Sequence, residues 1–188
     1  MQDKINILII GDIVGKPGRY AVKKVLPDFI EENEINFVIA NGENSAHGIG
    51  ITRKITEEFL VSGIDVLTSG NHIFKVKETL NFITEFSDRL LRPGNFPPAL
   101  PGKGVTVIEK DEIRFCVINL HGRVFIREDY DCPFRTVDEI LSEFKDKADI
   151  FIVDFHAEAT SEKAAFGRYL DGRVHAVVGT HTHVQTAD

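Results

Sequence analysis

Ile5-Asn6-Ile7-Leu8-Ile9-Ile10-Gly11-Asp12 is an apolar run that ends in a glycine and a carboxylate. A run without strict alternation suits a strand covered on both faces. Beyond it, Val22, Val25, Leu26, Phe29 and Ile30 fall at i, i+3, i+4, i+7 and i+8, one helical face. Pro27 lies off that stripe and is expected to kink or interrupt the helix. The same succession recurs downstream. Asn36–Ala40 reads as a second strand, followed by a helix with Ile55, Phe59 and Leu60 inward and Thr52 as its N-cap. Ile64–Thr68 reads as a third, followed by a helix through Leu80, Phe82, Ile83 and Phe86. A Pro/Gly-rich loop, Pro93–Gly104, breaks the rhythm. Val105–Ile108 and Phe115–Leu120 then flank the charged turn Lys110–Glu112 as a hairpin. Thr136-Val-Asp-Glu139 has the form of a capping box, with Ile140, Leu141 and Phe144 inward behind it. Ile150–Phe155 and Val174–Val178 read as the last strands, separated by a helix near Ser161–Leu170. Strands alternating with helices, plus one hairpin, predict an α/β fold on a mixed, mainly parallel sheet.

Composition bounds the function. The 188 residues suit a single domain, 1–188, and 43% hydrophobic with 27% charged residues excludes a disordered chain or a collagen-like rod. A net charge of −7 is a poor basis for gripping duplex DNA, which requires clustered cations, yet leaves room for a small phosphate ligand. Cys116 and Cys132 form no Cys-x-x-Cys pair, so thiolate zinc and redox motifs are absent. The apolar run near the start is too short for a signal segment or a membrane span, and a cytoplasmic location is the expectation. Two tempting phosphate loops fail. Gly11–Pro17 is one residue short of a P-loop and puts Pro where Ser or Thr must meet magnesium. Gly48–Arg53 lacks the third glycine of a dinucleotide fingerprint.

The polar residues collect just past the strands. Gly11-Asp12, Asn41-Gly-Glu43-Asn44, Gly70-Asn71-His72, Asp154-Phe-His156 and Gly179-Thr-His181-Thr-His183 each follow or finish an apolar run. Ligands of open α/β sheets bind at strand C-termini, so topology alone draws these groups to one edge. Asp12, Glu43, Asn44, Asn71, His156, His181 and His183 offer mixed nitrogen and oxygen ligation, with His72 beside them. That donor set suits iron, manganese, zinc or nickel over magnesium or calcium. It is too large for one tetrahedral zinc and about right for two metals sharing a carboxylate. His181-Thr-His183 on an extended segment would put both imidazoles on one face as a chelating pair.

The segments GD at Gly11-Asp12, NGEN at Asn41–Asn44, GNH at Gly70–His72, DFHAEATSEK at Asp154–Lys163 and GTHTHVQTAD at Gly179–Asp188 resemble the calcineurin-like metallophosphoesterase superfamily. Within it they resemble the YmdB-like bacterial cyclic-nucleotide phosphodiesterase branch. RPGNFP at Arg92–Pro97, PGKG at Pro101–Gly104 and INL at Ile118–Leu120 extend the likeness along the chain. The resemblance implies a metallophosphoesterase-type layered α/β sandwich, with the family's C-terminal strands missing from this sequence. It implies two transition-metal ions per chain, iron first, manganese or zinc as substitutes. Asp12, Glu43, Asn44 and His183 would hold one, and Glu43, Asn71, His156 and His181 the other. His72 would be the proton donor. It further implies hydrolysis of 2′,3′-cyclic nucleotides, extending to 3′,5′-cyclic ones, together with homo-oligomerisation and RNA-processing partners. The branch departs from the wider superfamily where Asp12-Ile-Val14 replaces Asp-x-His and Glu43 replaces a bridging Asp. His121 stands where Gln is expected in an NLQGR segment.

In such a centre, the ions would lower the pKa of a bridging water toward ~7 and supply hydroxide. His72 would then be free to act as general acid on the departing ribose oxygen. Blander roles compete for single residues: Asp12 as a helix cap, Glu43-Asn44 as a polar loop, His156 as a hydrogen-bonded core histidine. His47 divides between pocket wall and exposed loop, His175 reads as structural, and Arg123, Arg127 and Arg173 as surface cations before phosphate ligands. Two other functions stay open: a phosphomonoesterase or nuclease on the same metals, and a non-catalytic regulatory or RNA-machinery binding protein.

Overall fold

The computed structural model describes residues 4–186. Ala187 and Asp188, which end the GTHTHVQTAD run, lie outside the described residues, as do Met1, Gln2 and Asp3. The strands are β1 (Ile7–Ile10), β2 (Phe37–Asn41), β3 (Val66–Thr68), β4 (Val105–Lys110), β5 (Ile113–His121), β6 (Ile150–His156) and β7 (Ala176–Thr180). The helices are α1 (Gly15–Glu32), α2 (Arg53–Val61), α3 (Thr79–Phe82), α4 (Pro133–Phe144) and α5 (Thr160–Tyr169), with a 3-10 turn at Ile83–Phe86.

These strands form two sheets; the pattern of runs alone suggests one, and the layered α/β sandwich implied by the resemblance is what the structure shows. β1, β2 and β3 pair in that order, all parallel. In the second sheet β4 pairs antiparallel with β5 through the expected hairpin, and β5, β6 and β7 continue in parallel. The Pro93–Gly104 loop carries the chain from one sheet to the other, held by hydrogen bonds from Leu91 N to Leu67 O (2.8 Å) and Gly94 N to Asn119 O (2.7 Å).

Alternate side chains of a strand face opposite ways, and three apolar clusters follow from that. Val38, Ala40 and Leu67 point outward under Leu26 of α1 and Ile55 and Phe59 of α2. Cys116, Ile118, Leu120, Val153 and Phe155 point the other way, under Val137 of α4 and Phe166 of α5. Between the sheets lie Phe37, Ile39, Val66, Phe115, Val117 and Ile152. The result is a helix–sheet–sheet–helix sandwich. At its centre the rings of Phe37 and Phe115 stack across the two sheets, 4.2 Å apart and 9° from parallel.

Several local expectations shift. α1 runs from Gly15 to Glu32 with Pro27 inside it. Its inward stripe is the narrower Val22, Leu26 and Ile30, leaving Phe29 partly exposed and Val25 55% exposed. Leu80 likewise faces out, while Phe82 and Ile83 are buried. α2 is capped as expected, Thr52 Oγ1 accepting from Ile55 N at 3.3 Å. α4 begins a turn before the Thr136–Glu139 box, because Pro133 occupies the first helical position, where its fixed φ suits the helix and its missing N–H costs nothing.

Phe115 sits fully inside the inter-sheet layer. Phe115→Ala should therefore lower unfolding free energy by about 3–5 kcal/mol with an unchanged denaturant slope, read by urea titration. A loss below ~1 kcal/mol would mean the stacked pair is peripheral to the core.

Candidate metal centre

Along each inner strand face the side chains turn from apolar to polar toward the C-terminal end. β2 goes Phe37, Ile39, Asn41; β3 goes Val66, Thr68; β6 goes Ile150, Ile152, Asp154, His156. Asp154 is buried at the boundary. Its carboxylate accepts the hydroxyl of Thr68 from the first sheet and that of Thr180 from β7, the latter at 2.7 Å. Burial pushes the Asp154 carboxyl up to about 6, against the pull of those two hydroxyls.

The Thr180 hydroxyl, having given its hydrogen to Asp154, is an acceptor for the Nδ1–H of His156 at 2.9 Å. That assigns the proton of the neutral ring to Nδ1 and leaves the Nε2 lone pair facing the cluster. Nε2 lies 2.9 Å from Glu43 Oε1, 3.1 Å from His181 Nδ1 and 3.3 Å from Asn71 Oδ1. Donor atoms of Glu43, His156 and His181 lie within 4.8 Å of one another, a group able to hold a metal ion. Gly70 makes room for this: a Cβ there would collide with the His156 ring at Nε2.

A second group of polar side chains, Asp12, Asn44 and His183, lies against the same carboxylate. Asn44 Nδ2 is 3.5 Å from Glu43 Oε1, 3.1 Å from Asp12 Oδ1 and 3.3 Å from His183 Nε2. His183 Nε2 is 3.4 Å from Asp12 Oδ1. His72 closes the mouth: its backbone N–H donates to Glu43 Oε2 at 2.9 Å and its Nδ1 lies 2.7 Å from Asn44 Oδ1. Its side chain keeps 29% exposure. The structure thus brings Asp12, Glu43, Asn44, Asn71, His72, His156, His181 and His183 into one connected cluster, with Glu43 between its two halves.

Burial alone would raise the Glu43 carboxyl, but His156 beside it, with the backbone N–H of His72, holds it down at about 2. Burial would depress His156, and the charges of Glu43, Asp12 and Asp154 outweigh that and raise it. Both directions say that the site draws positive charge onto the His156 imidazole, while burial and that charge push His181 down. A buried carboxylate requires such a counter-charge, and a metal cation meets the same need as a proton. The donors are oxygen and imidazole nitrogen without sulfur, which fits iron, manganese or zinc.

The two downstream histidines do not chelate from one extended face. β7 stops at Thr180, and His181 and His183 take left-handed backbone (φ +92° and +53°), each at a cost of order 1 kcal/mol. The turn sends His181 to His156 and His183 to Asp12, one to each half of the cluster. Asp12 does not cap α1, whose N-cap position is Val14. Instead its Oδ2 accepts from the backbone N–H of His181 at 2.9 Å, tying the end of β1 to the end of β7. His47 sits in an exposed loop with φ +57°. His175 Nδ1 accepts from Phe151 N at 3.0 Å. Arg123 and Arg173 pair with Asp129 and Asp138.

Three contributors stand outside the candidate donor set. Asp154 was visible only through its two-residue spacing from His156, which puts both on one strand face. Thr180 carried no signal beyond standing before His181. Glu158, whose Oε2 lies 2.9 Å from His181 Nε2, had none beyond following His156 by two. His121 is buried beside His156 (ring centroids 5.4 Å), with Nδ1 2.7 Å from Gly122 O and no partner for Nε2 among the described residues. Burial, with the positive His156 beside it, pushes its pKa down to about 4, so its ring stays neutral.

Comparison with known proteins agrees over nearly the whole chain. A 2′,3′-cyclic-nucleotide 2′-phosphodiesterase of Bacillus subtilis (strain 168) is 49% identical over 184 residues, covering 98% of this chain and 69% of that protein. A crystal structure of a hypothetical protein from Thermus thermophilus superposes with a TM-score of 0.89 at 43% identity, over 97% of this chain and 69% of that one. A novel phosphatase from Mycoplasma pneumoniae superposes with a TM-score of 0.90 at 36% identity, over 100% of this chain and 68% of that one. The chain therefore spans a little over two thirds of the length of these relatives. The family model described as YmdB-like protein matches residues 8–188, and the chain belongs to that family.

Proposed function

We propose that this protein is a metal-dependent phosphodiesterase that hydrolyses cyclic nucleotides, 2′,3′-cyclic ones foremost, at a centre of two transition-metal ions. One observation carries the proposal: donor atoms of the buried Glu43, His156 and His181 converge within 4.8 Å, and Asp12, Asn44 and His183 gather on the other side of the same Glu43 carboxylate. Asp12, Glu43, Asn44 and His183 would hold one ion, and Glu43, Asn71, His156 and His181 the other. Iron fits the donor chemistry, with manganese or zinc as substitutes. The activity named for the Bacillus relative supplies the substrate class.

When bound, the ions supply positive charge that activates water and neutralises phosphoryl oxygens. This chain's own residues do the rest. Asp154 and Thr180 fix the ring of His156, and the turn after β7 delivers His181 and His183 to separate halves of the cluster. His72 is the general acid. Its Nδ1, held by Asn44 Oδ1 at 2.7 Å, leaves Nε2 as the nitrogen that hands a proton to the leaving ribose oxygen. Its partial exposure at the mouth suits that task, since the leaving group departs toward solvent.

A phosphomonoesterase is the second reading, favoured by the name of the Mycoplasma structure. Parallel assays on 2′,3′-cyclic AMP, a simple phosphomonoester and a short RNA separate the two. Turnover confined to the monoester would replace the diesterase reading.

Glu43→Gln should empty both halves, with metal per chain by plasma mass spectrometry and turnover falling together; turnover equal to wild type would overturn the proposal. His72→Ala should keep its metal while kcat drops about 10²–10⁴-fold, the usual share of a general acid. Gly70→Ala, whose Cβ would strike the His156 ring, should lose metal with its circular dichroism unchanged. Full metal retention there would mean that the ring has space to move aside.

A further inference from the structure

His156 and His181 present one ring nitrogen each to the cluster, and each ring has its other nitrogen tied elsewhere. For His156 the tie is Thr180 and, through it, buried Asp154. For His181 it is Glu158, Oε2 to Nε2 at 2.9 Å, while Nδ1 faces His156 Nε2 at 3.1 Å. An imidazole that donates one N–H to a carboxylate is fixed in tautomer and ring angle, and its other nitrogen becomes a better donor to a metal.

We infer that Glu158 is a positioning residue for the metal centre: it takes the Nε2–H of His181 and so holds the Nδ1 lone pair toward Glu43 and His156. This rests on the metal-centre reading above. The local chain is built for the task. Ala157 and Ala159 are both buried, which pins the short loop after β6 and turns Glu158 outward between them. The Glu158 side chain is 47% exposed, against 22% for His181, so it reaches the ring from the solvent side. The His181 turn is fixed independently, by its own backbone N–H on Asp12 and by Lys163 Nζ donating to Thr182 Oγ1 at 3.1 Å. Glu158 therefore sets the ring and leaves the backbone alone.

The contrast between the two imidazoles sharpens the inference. Asp154 is buried and joins the sheets, so its loss would disturb fold and metal together. Glu158 is half in solvent, so its loss should change metal affinity alone. That separation gives a clean experiment on the full chain with three proteins: wild type, Glu158→Ala and Glu158→Gln. After chelation, manganese is titrated back by calorimetry. Glu158→Ala should weaken manganese binding about 10–100-fold, with the thermal midpoint of the metal-free protein at its wild-type value. Glu158→Gln, which keeps an oxygen for the Nε2–H, should fall between the two.

Nitrogen-15 NMR of the metal-free proteins reads the ring directly. His181 should carry its proton on Nε2 in wild type and divide between both nitrogens in Glu158→Ala. Unchanged affinity in Glu158→Ala, or equal losses in the Ala and Gln variants, would overturn the inference; the second result would make Glu158 a charge or a direct ligand instead. If wild type binds no manganese, iron or zinc, the parent reading fails. The NMR tautomer still decides whether Glu158 orients His181.

Discussion

Asp154 reaches across the sandwich to take the hydroxyl of Thr68 from the opposite sheet while holding Thr180 beside it in its own. This is where the apolar filling between the sheets ends. Burying a carboxylate costs several kcal/mol, and hydrogen bonds to a charged acceptor return roughly 1.5–3 kcal/mol each, so the arrangement adds little net stability. Its value is positional. Apolar layers tolerate sliding, since one contact replaces another, whereas a hydroxyl–carboxylate bond survives only in one register. Because Thr180 also accepts from His156, and His156 faces Glu43, the register of two sheets becomes the geometry of a cluster a few ångströms wide.

The individual strands were plain in the residue pattern; their division into two sheets was not, and only the family resemblance implied a layered sandwich. Phe37, Ile39 and Val66 face the second sheet, while Val38, Ala40 and Leu67 face helices. Both kinds of cover call for the same apolar side chains, so a continuous run reports that both faces are covered and not by what. Only the Pro93–Gly104 break hinted at a change of sheet. Helix ends failed where backbone geometry outranked side-chain pattern. Pro133 starts α4 ahead of a better-looking cap, and α1 continues through Pro27 with a stripe too narrow to cover Val25.

The donors of the cluster were legible because parallel topology gathers strand tips without needing the packing in detail. What supports them was not. Asp154 and Thr180 belong to the same runs as the donors, but their role depends on hydroxyl directions between two strands. The left-handed turn at His181 and His183 is the opposite of the extended geometry that an i, i+2 spacing suggests, and no local residue type announces it. Gly70 shows the reverse case. Its glycine signals a turn, yet its use here is to let an imidazole from the other sheet lie against the backbone.

Charge ties these features to the chemistry. The chain carries a net −7, and two of its carboxylates, Glu43 and Asp12, are buried in the cluster, where in the bare site they oppose the anionic phosphodiester it is proposed to cleave. Protonation of His156 offsets part of that field, but a protonated imidazole has no lone pair to offer a metal. Cations displacing those protons would put the lone pairs to use and offset the negative field. On the proposed function, substrate affinity would then be coupled to metal occupancy through electrostatics. Donor rings held firmly in one tautomer follow from that coupling, since any ring that turned its proton inward would oppose the cation and the substrate together.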